Sequence, residues 1–185
     1  MEATESEVGS NMALKVTLDT NCFFDYFDRG PAHIQDLVNL QAQGHVEIAM
    51  TTRVMADTVD KWKGQGTSPI WTKIQSFPEL KTVGSAFRLE MSRLDSGDYL
   101  ASNSDSKMME KFRGIMVDAQ VEDIDHLFGH IMAKRDIFVT SDSHFLNHQE
   151  ELKNEFGTVV LKPEDAVQRI QKVLSAKTDN DESTA

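Results

Sequence analysis

Short apolar runs alternate along this chain with stretches whose apolar residues recur every three or four positions, and that alternation limits the fold to few choices. Leu14, Val16 and Leu18 alternate as in a strand, "HVEIAMTT" repeats the pattern, and "IFVTSD" and "TVVLK" are nearly continuous. Between them, Pro31 opens a helix carrying Ile34, Leu37, Val38 and Gln41, which Gly44 stops. A second helix carries Val54, Met55, Val59 and Trp62. Met108, Met109, Phe112, Ile115 and Met116 fall at helical spacing within residues 107–117, followed by the stripe Ile124, Leu127, Phe128, Ile131 and Met132. Pro163 starts a last helix with Val167, Ile170, Val173 and Leu174. Near-continuous strands separated by helices predict an α/β chain, a three-layer α/β/α arrangement on a central, mainly parallel sheet of four to five strands.

At 185 residues, 39% hydrophobic and 26% charged, the chain suits one domain with a proper core, expected over residues 13–176. Residues 1–12 and 177–185 are polar and acidic and are expected as disordered tails, with 64–106 an irregular or helical insertion. No apolar run reaches the roughly 18 residues of a membrane span, and "MEATESEVGSN" lacks the basic and apolar parts of a signal peptide. A cytoplasmic protein without membrane contact is expected. The lone Cys22 has no disulfide partner and reads as a small core residue. The formal charge of −11 opposes nucleic acid at long range, yet residues 61–113 hold nine bases against six acids. Lys61, Lys63, Lys107 and Lys111 are the candidate contacts to a nucleic-acid backbone.

In an open α/β sheet, ligands sit beyond the carboxyl ends of the strands, and Asp19 and Asp142 fall there. Asp57 lies in the helix after the second strand, and Asp123 opens the helix leading into "IFVT". Asp125 flanks the apolar stripe at a similar angle on its other side, so helical geometry alone does not choose between it and Asp123. Each Asp after a strand also suits a helix cap. Four carboxylates at one sheet edge repel unless a cation lies among them. Oxygen-only donors suit Mg²⁺ or Mn²⁺, which activates water and stabilises charge on a phosphodiester. His126 with His130, and His144 with His148, have i, i+4 spacing that zinc can use, but no Glu follows the first His and no third ligand is evident. A haloacid-dehalogenase-type phosphatase needs D-x-D, which Asn21 breaks.

"VTLDTNCFFDYF" resembles the first motif of PIN-domain nucleases, a strand ending in D-x-N. "DIDHLFGHIMAKRDIFVTSDSHF" is similar to that family's later signature, and "VVLKPEDAV" to its final strand and helix start. The resemblance runs over roughly residues 14–175. It implies a PIN-like fold and a metal-dependent endoribonuclease acting on RNA with Mg²⁺ or Mn²⁺. It implies Asp19, Asp123 and Asp142 as metal ligands, choosing Asp123 over Asp125 by its spacing to His126 and Asp142. Asp57 completes the catalytic set where the family usually has Glu. Asn21 and Thr140 or Ser141 are then supporting groups, with Asp125 and His126 beside them. Many such nucleases resemble toxins held by a cognate inhibitor, so an inhibitory protein or a second copy stands as a partner. The alternative is a PIN-like domain of weak or no turnover that binds RNA or protein.

Overall fold

The computed structural model describes residues 13–30, 32–60, 69–86, 98–99 and 102–182. Strand β1 (Leu14–Leu18) leads into the short helix α1 (Thr20–Phe24), which continues as a π-helical turn over Asp25–Arg29. Gly30, at φ 117°, reverses the chain there. Then follow α2 (Ala32–Ala42), β2 (Val46–Thr51), α3 (Arg53–Asp60), α4 (Pro69–Gln75) and β3 (Lys81–Val83). Helices α5 (Asn103–Ile115) and α6 (Val121–Met132) precede β4 (Ile137–Val139). Helices α7 (Ser143–Leu146) and α8 (Gln149–Phe156), strand β5 (Val159–Leu161) and α9 (Pro163–Glu182) complete the order.

All strand pairs are parallel, in the order β3-β2-β1-β4-β5. Leu18 sits opposite Met50 on one side of β1 and Val139 on the other. The chain lays β1, β2 and β3 outward in one direction, then crosses back to add β4 and β5 beyond β1. The strand order therefore reverses between β1 and β4, and the crossovers diverging from that point leave a crevice above the carboxyl ends.

Strand side chains alternate between two buried faces. Val16, Leu18, Ile137 and Val139 pack with Ile34 and Leu37 of α2 and with Ala166, Val167 and Ile170 of α9. On the other face Phe138 and Val160 meet Phe112 and Met116, the α6 stripe Ile124, Leu127 and Phe128, and Phe145 and Leu152. Each such side chain contributes about 1.5–3 kcal/mol on leaving water, so helices cover both faces of the sheet.

Within 64–106, expected as irregular or helical, the structure has α4 and the edge strand β3, whose Lys81 and Thr82 are exposed and carry no apolar signal. Helix α5 begins four residues before 107, because Ser102 and Asp105 form a capping box. Helices α7 and α8 fill a stretch for which the sequence reading assigned no element. Helix α9 continues six residues past the expected domain limit at 176. The expected N-terminal tail, Pro31, Trp62, Lys61 and Lys63 lie outside the described residues. Among the described residues no helix is long and apolar enough to cross a membrane.

Candidate active site

A cleft of about 270 Å³ opens beside the reversal in strand order, lined by Asp19, Thr20, Asn21, Phe24, Arg53, Asp57, Gln120, Glu122, Asp123 and Asp142. Its carboxylates come from distant parts of the chain. Asp19 follows β1, Asp57 lies in α3, Asp123 in the first turn of α6, and Asp142 just beyond β4.

Asp19 is buried and held from three directions. Its Oδ1 accepts the Thr20 N–H at 2.7 Å, and its Oδ2 accepts from the Thr140 hydroxyl at 2.7 Å and the Asn21 amide at 2.9 Å. Thr140 also accepts the Asp142 N–H at 2.9 Å, and Asn21 accepts the Ser141 N–H at 3.1 Å. Thr140 and Asn21 thus tie the end of β1 to the end of β4. The Ser141 hydroxyl instead donates to Asp25 at 3.0 Å, facing a neighbouring cavity.

Asp19, Asp123 and Asp142 each cap a helix as well as facing the cleft. Asp142 accepts the His144 N–H at 2.8 Å at the start of α7, and Asp123 accepts the Gln120 N–H at 3.0 Å at the start of α6. Capping and clustering are compatible at Asp123 and Asp142, where the cap uses one carboxylate oxygen and leaves the other to the cleft, whereas both oxygens of Asp19 already accept hydrogen bonds. Burial raises the proton affinity of Asp19, and the charge of Asp142 adds to it, outweighing the hydrogen bonds and His126. Burial likewise raises that of Asp123, with Asp19 and Asp142 adding their repulsion. Asp19 and Asp123 therefore carry, besides the cost of burial, a carboxylate repulsion that His126 offsets only in part.

Asp57 has a different environment. Arg53 Nε donates to its Oδ1 at 2.8 Å, and its Oδ2 accepts from Thr20 at 2.9 Å and faces His126 Nε2 at 2.8 Å. Burial alone would raise its proton affinity, but His126 and Arg53 overcome that and hold it ionised. Burial opposes a charge on His126, yet the bond to Asp57 and the charges of Asp19 and Asp57 raise its proton affinity. Its Nδ1 lies 2.6 Å from the Thr51 hydroxyl.

The expected supporting residue Asp125 is buried and does not line the cleft. The histidine pairs divide in the same way. His130 bonds Thr17, and burial with the nearby Arg135 charge lowers it to about 3, leaving a neutral core group apart from His126. His144 Nδ1 stands 3.5 Å from Asp142 and 3.8 Å from Asp123, whereas the His148 side chain makes no capping bond to α8. Lys107 is exposed on α5, and Lys111 on the same helix pairs with Glu155 of α8.

Sequence reasoning missed Arg53, Glu122 and the bridging role of Thr20. Arg53 had a readable signal in its i, i+4 spacing to Asp57 on one helix. Glu122 was hidden by its neighbour Asp123, and Thr20 by its lack of charge.

Among the described residues no group of three or more His, Cys, Asp or Glu stands ready to hold a metal ion. The acids line an open cleft instead, all their donors are oxygen, and His126 offsets the charge of Asp19 and Asp123 only in part. That arrangement fits a hard divalent ion that keeps part of its water shell, held by few carboxylates.

No protein-family model matches the chain, and no curated protein matches it. Among solved structures it is similar to VapBC2 from Rickettsia felis bound to a DNA fragment from their promoter. The TM-score is 0.54 at 15% identity, over 80% of this chain and 98% of that one. The likeness is one of fold and supports a PIN-like architecture.

Proposed function

We propose that this cleft is the active site of a divalent-metal-dependent endoribonuclease that hydrolyses RNA phosphodiesters. The observation that carries the reading is the meeting of Asp19, Asp123 and Asp142, from three separate elements, in one cleft beside the reversal in strand order. Two of them carry proton affinities raised by burial and mutual repulsion. A protein keeps such charges together at a cost, and a function explains their retention.

In this reading Asp19, Asp123 and Asp142 hold Mg²⁺ or Mn²⁺. The bound ion supplies an activated water and offsets charge on the phosphodiester. Thr140 and Asn21 fix the Asp19 carboxylate, so little reorganisation is left for the moment of reaction. Asp57 holds Thr20 of the cleft lining and the buried His126. Asp142 is oriented by its own helix cap and by Thr140. The neighbour's occurrence as VapBC2 on promoter DNA supports adding a protein partner or a second copy to the proposal.

The test is cleavage of single-stranded RNA with Mn²⁺ or Mg²⁺. Activity is expected with either ion, and Asp142→Asn or Asp19→Asn is expected to lower it at least a hundredfold, as removal of a key charge-stabilising group does, while circular dichroism still reports a folded domain. Cleavage that continues undiminished in chelator overturns the reading.

A further inference from the structure

Five carboxylates line the cleft, and Arg53 is the only Lys or Arg among the described residues lining it. A divalent ion neutralises part of that charge, but an RNA phosphate still approaches a strongly negative wall. Arg53 is well built to meet it. The side chain is only 6% exposed, so its charge is poorly screened where it faces the cleft. Its Nε is anchored on Asp57, which Thr20 and His126 hold through the other carboxylate oxygen. Thr51 in turn holds the far side of the His126 ring. This buried chain fixes the plane of the guanidinium. The outer arm is held differently: Nη2 reaches Glu122 Oε1 at 3.4 Å, a long contact to a side chain 40% exposed at the cleft mouth. A bond of that length is easily exchanged for a charged oxygen at a better distance.

Building on the nuclease reading, we propose that Arg53 contacts the RNA directly, its guanidinium taking a phosphate oxygen in exchange for Glu122 while Asp57 serves as its positioning residue. The planar fork suits phosphate, and its weak hydration lowers the cost of stripping water from it. Asp57 then acts through Arg53, and metal binding rests on the other three acids.

The experiment measures binding of a 12-nucleotide single-stranded RNA in Ca²⁺ over a range of salt, with Mn²⁺ affinity measured separately by calorimetry. The double variant Arg53→Gln/Asp57→Asn removes both charges of the buried pair and leaves neither stranded. It is expected to keep Mn²⁺ affinity within about twofold and to bind RNA about tenfold more weakly. The slope of log affinity against log salt should shrink by about 0.7, the loss of one phosphate contact on a single strand. Arg53→Lys keeps the positive charge, and is expected to stay folded and keep the slope while losing RNA affinity severalfold with the fork. Unchanged RNA affinity in Arg53→Lys, or an unchanged slope in a folded double variant, overturns the Arg53 assignment. A wild-type protein that binds neither Mn²⁺ nor RNA removes the nuclease reading itself, and the Arg53 assignment with it.

Discussion

At Asp123 one carboxylate oxygen accepts the Gln120 N–H at 3.0 Å, while burial and the charges of Asp19 and Asp142 raise its proton affinity. An amide in the same place keeps the cap, because its carbonyl oxygen still accepts that N–H, and removes the repulsion. Asp123→Asn should therefore stabilise the metal-free protein near neutral pH. The sign follows from linkage. A carboxyl whose folded proton affinity is raised contributes stability below its unfolded value of 3.8 and loses it as pH rises through the folded value. The amide's advantage is thus absent in strong acid and present at pH 7. Screening at the cleft mouth keeps it to about 0.5 kcal/mol. Denaturant melts of wild type and variant at both pH values measure it, and a variant less stable at pH 7 would show that the three acids do not repel in the folded chain.

Helix α6 carries both Asp123 and His126, so its distance from the sheet sets the cleft. Gly129 fixes that distance: a methyl group there would stand 2.5 Å from the carbonyl oxygen of Gly84 and 3.2 Å from a Thr51 side-chain carbon. Backbone cannot yield as a flexible side chain does. Gly129→Ala is expected to cost about 1–3 kcal/mol by overpacking and to weaken Mn²⁺ binding by lifting Asp123, read together by melting and calorimetry. Wild-type stability with wild-type Mn²⁺ affinity would show that α6 does not rest on that contact. The elements differ in how plainly the sequence announced them. Helix α6 was legible because its apolar stripe meets the core along its whole length. Strand β3 was not, because an edge strand with exposed Lys81 and Thr82 has no alternation to read. Helix α8 escaped because Leu152 is its one fully buried side chain. Among the site residues, the acids at strand ends could be read because their position in sequence is their position in the sheet. The Arg53–Asp57–His126 chain joins α3 to α6 only through tertiary packing, so sequence spacing reveals at most its first link.

For the molecule as a whole, the proposed ion links the ends of β1 and β4, already joined by hydrogen bonds at Thr140 and Asn21, to the start of α6. An ion held by Asp19, Asp123 and Asp142 binds the folded chain and not the unfolded one, where these acids are scattered along the sequence. Mass action then stabilises the fold by about 2.7 kcal/mol at a hundredfold excess over the dissociation constant. In a domain of this size each kcal/mol moves the melting temperature by roughly 2–4 °C, so saturating Mn²⁺ should raise it by about 5–10 °C. The net charge of −11 complicates the measurement, since any divalent ion relieves general repulsion on an acidic surface. The Asp123→Asn/Asp142→Asn protein separates the two effects: it changes the net charge by only two and keeps the amide oxygens that cap α6 and α7. It should retain the small rise due to screening and lose the rest. If wild type and variant rise equally with Mn²⁺, the ion is acting on the surface, and these acids do not form a binding site.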